Sequence, residues 1–326
     1  MTRTLLASLL AATTLCSVSC SSGPDAKAIE QQIGGLPGVS STRMDYHSYS
    51  TTGEQFDLTV NLLPEVTDQQ AVQISRVFVD EAHRSGLDEN NAALSLQFSS
   101  PEPPSKYPGT EKYSSATFRF GHQSMRANPS AEKIGQYATV WLRAARSGIA
   151  ERVELVSPQG GSSGDTRDIT ITLDPSTPEA KAVELQHSDP ELAAVDWVIH
   201  LPISAVQSHD YTSTPDPPTD GARAAWAEIS AVVGKYYEAS ATTSPRGQAE
   251  TSVDITVPES ADSAQSVTRI AHGVPPLLPR FGHPTQLNLT IPDGNVELIV
   301  GGCMEHKPGH VRLPLELELA AQYEKC

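Results

Sequence analysis

The apolar residues of this chain follow two spacings. In some stretches every second residue is apolar, which suits a strand with one buried face. In others they recur every three or four positions, which suits a helix packed on a core. The strand spacing is clearest where an acidic residue opens the run: Asp57-Leu-Thr-Val, Asp168-Ile-Thr-Ile and Asp254-Ile-Thr-Val. Each predicts the second arm of a hairpin, because a polar turn rich in Gly or Ser precedes it: SYSTTGEQ, SPQGGSSGDT and TTSPRGQAE.

A helical stretch stands before each hairpin: AKAIEQQI, AEKIGQYATVWLRAAR and ARAAWAEISAVVGKYY. In the third, Ala222, Trp226, Ile229 and Val233 share one face. A second helix follows each marker strand. In the first copy Thr67 is placed to cap DQQAVQISRVFVDEAHRSG, with Val72, Val79 and Ala82 facing inward and Gly86 as the stop. The other two are PEAKAVELQ and SADSAQSVTRIAHG. Each copy then closes on a further strand: ALSLQF, VDWVIHL and QLNLTI.

The middle copy carries an earlier strand, SATFRFG, and so reads β-α-β-β-α-β, the order of a split βαβ or ferredoxin-like unit. The expected fold is therefore α+β: two or three ferredoxin-like two-layer sandwiches in tandem. Their expected spans are 27–100, 112–205 and 221–326, the last with a C-terminal extension. Pro-rich segments at 101–112 (PEPPSKYPGTEK) and 211–221 (YTSTPDPPTDG) are the expected linkers.

The N-terminus adds an address. Arg3 precedes a mostly apolar run, residues 4–15, and small residues follow, the layout of a secretory signal. That run is well short of the roughly 20 residues a membrane-spanning helix needs. Ser17-Val18-Ser19-Cys20 resembles the lipobox of bacterial lipoproteins, matching at Val18, Ser19 and Cys20 and departing at Ser17. In overall style the chain is similar to envelope lipoproteins of high-GC Gram-positive bacteria. The resemblance implies a signal peptide over 1–19, a diacylglyceryl group and an amide-linked acyl chain on Cys20, and a tether over 20–26. Several acyl chains hold a protein firmly where one does not. The implied location is the outer face of the cell membrane.

This account also sorts the four cysteines. Cys16 leaves with the signal and Cys20 takes lipid, so Cys303 and Cys326 remain, most simply as a disulfide in an oxidising compartment.

Charge narrows the partners. Without the first 19 residues the chain has 22 basic against 39 acidic residues, a net −17. Nucleic acid is excluded, since binding phosphates requires clustered Lys and Arg. A basic patch for anionic head groups is absent for the same reason. Aromatic residues at 6% are too sparse for a carbohydrate platform.

Few residues suggest chemistry. Cys303-Met304-Glu305-His306-Lys307-Pro308-Gly309-His310 has the C-x2-H-x3-H spacing of a copper or zinc site, with Cys303, His306 and His310 as ligands. A disulfide at Cys303 competes with that reading, because a bridged sulfur is no thiolate. Gly160-Gly161-Ser162-Ser163-Gly164 fits G-x-S-x-G, but a strand rather than a helix follows, so the serine sits in a hairpin loop. His272 and His283 bracket GVPPLLPRFG, whose Leu277, Leu278 and Phe281 are either core residues or a rigid docking loop. Glu81, His83 and His187 lack partners at catalytic spacing, and Trp141, Trp197 and Trp226 read as core. Gly34 and Gly35 lack the strand before and the helix after that a phosphate loop requires.

The expected function is a non-catalytic binding or structural lipoprotein of the cell envelope, with an envelope protein as partner and no cofactor. Metal capture through the CMEHKPGH segment is one alternative. An enzyme with a site assembled from distant residues is the other.

Overall fold

A computed structural model of the chain describes residues 23–49, 53–99, 113–121, 128–156, 168–204, 207–245, 249–260, 263–306 and 311–326. Across them one unit, a helix followed by an antiparallel hairpin, repeats six times. The first three units are α1 (Gly23–Gly34), β1 (Val39–Tyr49), β2 (Gly53–Leu62); α2 (Asp68–Ser85), β3 (Asn91–Ser99), β4 (Tyr113–Gly121); and α3 (Ala131–Arg146), β5 (Ala150–Val156), β6 (Asp168–Leu173). The next three are α4 (Glu179–Ser188), β7 (Asp196–Pro202), β8 (Ser208–Ser213); α5 (Asp220–Val233), β9 (Glu238–Thr243), β10 (Thr251–Thr256); and α6 (Ser263–Gly273), β11 (Thr285–Ile291), β12 (Gly294–Val300). A last helix, α7 (Pro314–Tyr323), follows.

The twelve strands form one sheet in strict sequence order. Hairpin partners run antiparallel, and successive hairpins meet in parallel, as at β2–β3, β6–β7 and β10–β11. The α+β class stands, but the ferredoxin-like units do not. A split βαβ needs another strand inserted between its two parallel strands, whereas here the parallel strands joined by each helix are direct neighbours. Neither expected linker divides the sheet. Flanking 101–112, itself outside the described residues, β3 and β4 pair from Asn91↔Gly121 to Ser99↔Tyr113. At 211–221, Tyr211–Ser213 belongs to β8, which pairs in parallel with β9, and Asp220 already starts α5.

Local sequence explains the elements. Thr67 caps α2 by accepting from the Gln70 N–H, and the Gln70 side chain accepts from the Thr67 N–H in return, a complete capping box. Gly86 ends α2 with φ of 72°, a left-handed conformation that glycine adopts without a Cβ clash. Ser130 and Thr219 cap the N-termini of α3 and α5 by accepting from the Lys133 and Ala222 N–H groups. Strand alternation then sorts the faces: in β2, Phe56, Leu58, Val60 and Leu62 are buried and the residues between them are partly exposed. The marker strands place Asp57, Asp254, Thr59, Thr170 and Thr256 away from the helices and their aliphatic residues, such as Leu58, Ile171 and Ile255, in the core.

The core falls into two clusters. The first runs from Ala26 to Trp197 and is rich in rings, with Phe56 stacked on Phe78 and Phe78 tilted against Phe120. The second runs from Ile199 to Leu319 around Trp226, Tyr211 and Phe281. The seam between them therefore lies within β7, although the backbone ladder passes through it. All three tryptophans are fully buried, as the apolar spacing predicts. Burying one large side chain stabilises by roughly 1.5–3 kcal/mol, and this holds the helices to one face. Of the expected tether 20–26, the described residues are helical: α1 begins at Gly23 and Ala26 is buried.

Candidate functional site

One face of the sheet carries the core and the other carries mostly polar side chains aligned in rows. With strands about 4.8 Å apart, twelve of them give this open face a width of about 50 Å. Register aligns the residues across strands. One row passes through Arg152, Thr172, Val198, Thr212, Thr242, Ser252 and Gln286. A second passes through His200, Asp210, Ser240, Asp254, Asn288 and Glu297. In the first half of the sheet, Thr59, Ser95 and Thr117 share a row.

These side chains hydrogen-bond to one another along the surface. Asn288 Nδ2 donates to Asp254 Oδ1 at 2.7 Å and to Ser252 Oγ at 3.1 Å, while Gln286 Nε2 donates to Asn288 Oδ1 at 2.8 Å. Ser95 and Thr117 hydroxyls lie 3.1 Å apart, and Gln55 Nε2 donates to Asp57 at 2.7 Å. Two of the three marker aspartates, Asp57 and Asp254, thus accept side-chain hydrogen bonds on the open face; the Asp168 side chain is outside the described residues. A cleft of about 340 Å³ on this face is bordered by Gln55, Asp57, Asn91, Ser95, Thr117 and Arg119.

The best-defined pair on the face is His200 and Asp210, directly opposed on β7 and β8 with Nδ1 2.7 Å from Oδ1. The hydrogen bond to Asp210 holds the His200 pKa above its ordinary value, against partial burial, which lowers it. Another histidine one residue along β8 is spent on structure. His209 is fully buried; its Nε2 lies 2.9 Å from the Tyr237 carbonyl and its Nδ1 2.7 Å from the Ser230 hydroxyl. A carbonyl only accepts, so Nε2 donates to it, and the Ser230 hydroxyl partners Nδ1.

A second polar cluster lies at the C-terminus. Glu316 is fully buried and accepts from Arg312 Nε at 2.8 Å, with His306 Nε2 3.6 Å from the same oxygen. Arg312 also donates to Glu324 at 3.2 Å, and Glu324 accepts from the Ile299 N–H of β12 at 3.3 Å. Burial disfavours the Arg312 charge, but the hydrogen bonds to Glu316 and Glu324 outweigh it and hold the guanidinium above its ordinary pKa. The cluster fastens the C-terminal segment to the last strand. Beside it Cys303 and Cys326 form a disulfide with Cα atoms 4.9 Å apart.

That bridge removes the thiolate on which the metal reading of Cys303, His306 and His310 depends. His306 turns towards Glu316, His310 lies outside the described residues, and among the described residues no three His, Cys, Asp or Glu are placed to hold a metal ion. The docking loop is corrected too: Leu278 and Phe281 are buried and Leu277 is partly buried against the second core, so a short 3-10 helix, Pro275–Phe281, turns them inward. His272 and His283 do not meet; His272 approaches Glu318 at 3.9 Å, and His283 approaches Thr251 at 3.4 Å and Glu250 at 3.8 Å. His83 pairs with Asp88 at 2.9 Å, Glu81 with Arg84, and His187 is exposed. Cys20 and the Gly160–Gly164 loop lie outside the described residues.

The pairing of His200 with Asp210 is hidden in the sequence because Tyr211 runs directly into a proline-rich segment that reads as a linker. The alternation Ser-His-Asp-Tyr-Thr-Ser is the signal of β8, with His209, Tyr211 and Ser213 facing inward. Comparison of the chain with protein-family models, with curated proteins and with solved structures finds no match.

Proposed function

We propose that this protein is a lipid-anchored module of the cell envelope that binds a partner protein through the open face of its sheet. One observation carries the reading: a largely polar surface about 50 Å wide, built on hydrogen-bonded strands rather than loops, with no helix laid over it among the described residues. A rigid scaffold with its side chains pre-positioned binds at low ordering cost. The acidic second half of the face, with Asp210, Glu238, Asp254 and Glu297, favours a partner that presents Lys and Arg. The anchor is the acylated Cys20 that the lipobox resemblance implies.

Photo-crosslinking groups placed in intact cells at Thr212 and Thr242 on the open face, and at Gln73 and Glu184 on the helical side, test the binding surface. Adducts from the first pair alone are expected. Adducts from the helical side alone, or none, would overturn it. For the anchor, Cys20→Ala is expected to move the protein out of the membrane fraction and to abolish incorporation of labelled fatty acid.

A further inference from the structure

The two outermost strands are finished differently. At β12 the C-terminal segment seals the edge: Glu324 accepts from the Ile299 N–H, the Gly301 N–H donates to Tyr323 O at 3.0 Å, and the Cys303–Cys326 bridge fixes the segment in place. At β1 no strand among the described residues pairs on the outer side. There, the Met44 N–H donates to Glu30 of α1 at 3.1 Å rather than to β2. In an antiparallel ladder alternate residues turn their backbone groups outward. Thr42, Met44, Tyr46 and Ser48 therefore turn theirs toward the outer side of β1.

We propose that two copies of this chain pair antiparallel through β1, with Met44 facing Met44 of the partner subunit. Three features of the strand lead to this register. Outward-facing residues must oppose one another, so the two-fold axis falls at a residue of β1. Met44 is the midpoint of the eleven residues Val39–Tyr49, so an axis there uses the whole strand. It also sets Arg43 opposite Asp45 of the partner subunit, twice by symmetry. An axis at Arg43 or Asp45 would oppose like charges instead. One at Tyr46 would pair Asp45 with His47 of the partner subunit but leave the start of the strand unpaired.

Charges on an edge ordinarily keep strands apart. These two are opposite in sign and flank the midpoint, so the edge complements itself. On the helical side Thr42 would meet Tyr46 of the partner subunit, and the two Met44 side chains would meet at the axis; both Met44 and Tyr46 already lean on the first core. Glu30 acts as a removable plug, its carboxylate giving way to a backbone carbonyl. A two-fold contact uses the same edge on both copies, so the pairing closes at two copies rather than propagating. It rests on β1 alone and is independent of the binding face above.

A single strand pair is a small interface, so the affinity belongs in the micromolar range or weaker. Light scattering and sedimentation of the purified protein from about 10 μM to about 500 μM should show a monomer giving way to a dimer. Arg43→Asp alone, or Asp45→Arg alone, creates two like-charged pairs and should weaken the dimer roughly tenfold. Mixing the two variants should restore it as a heterodimer, since every facing pair is then opposite in charge. Glu30→Ala should strengthen it by removing the plug. A monomer throughout that range would overturn the proposal. So would a dimer indifferent to the charge changes, or two folded variants that do not recombine.

Discussion

The half of the sheet that begins the chain and the half that ends it share one helix–hairpin unit but are stabilised by different means. The first packs aromatic rings from β2, α2 and β4 on one another, and the outer edge of its first strand carries a single side-chain cap among the described residues, Glu30 on the Met44 N–H. The second buries polar links within its core, such as His209 with Ser230 and Tyr237 with Ser266, and closes its outer strand with ion pairs and a disulfide. Stability from apolar packing resides in the cluster itself, whereas a cross-link acts largely by restricting the unfolded chain. The same architecture can therefore be sealed at one end and open at the other.

The strongest way to break the comparison is through the tryptophans at the two centres. Trp141→Ala and Trp226→Ala should each cost about 3–5 kcal/mol through cavity formation. Calorimetry should show two transitions, with Trp141→Ala lowering one and Trp226→Ala the other. A single transition shifted equally by both would make the seam in β7 irrelevant to cooperativity. The phenylalanine variants sharpen the contrast. Trp141 Nε1 donates to the Val153 carbonyl at 3.1 Å, whereas Trp226 Nε1 is buried with no hydrogen-bond partner among the described residues. Trp141→Phe should therefore destabilise more than Trp226→Phe.

Next in size is the covalent link. The bridge joins residues 23 apart in sequence, and closing a loop of that length is worth about 3 kcal/mol on the chain-entropy model. Replacing Cys303 and Cys326 together by Ser should lower the transition of the second half by that amount and leave the first unmoved. Limited proteolysis should then cut first after residue 300, where Ile299 loses the segment that buries it.

Much of this organisation is visible in the residues themselves. The three Asp-aliphatic-Thr-aliphatic runs land on β2, β6 and β10, every fourth strand, each as the second arm of a hairpin. The face of α5 carrying Ala222, Trp226, Ile229 and Val233 is buried as its spacing requires. Strand order was not visible. Alternation reports which face a residue takes but not which neighbour its strand chooses, so β-α-β-β-α-β fits a split unit and a sequential sheet equally well. Proline misled at 211–221, where TPDPPT makes a short strand-to-helix connection. The open face was hidden for a further reason: Thr, Ser and Asn at alternate positions look the same whether they are solvated singly or aligned into rows by register.

A smaller contrast concerns helix starts. Thr67→Ala removes the acceptor for the Gln70 N–H and half of a reciprocal pair, and should cost about 0.5–2 kcal/mol, confined to the first half. Denaturant titration resolves a change of that size as a lower midpoint with unchanged slope.

The smallest effect sits at the seam itself. His200 follows Ile199, the first residue of the second core, and Asp210 holds its pKa above 6.5. A raised folded value means the protonated form is favoured by folding. The contribution is therefore fully present below the unfolded value of 6.5 and fades as pH rises through the raised one. Both side chains are over a third exposed, at 38% and 47%, so solvent screens the pair and the stability change is small. The titration itself is the sharper readout. The His200 ring resonance, followed by NMR, should move at a pH above 6.5, and Asp210→Asn should lower that midpoint. If the midpoint stays where it was, the pairing of β7 with β8 does not bring these two side chains together in solution, and the open face loses its best-defined contact.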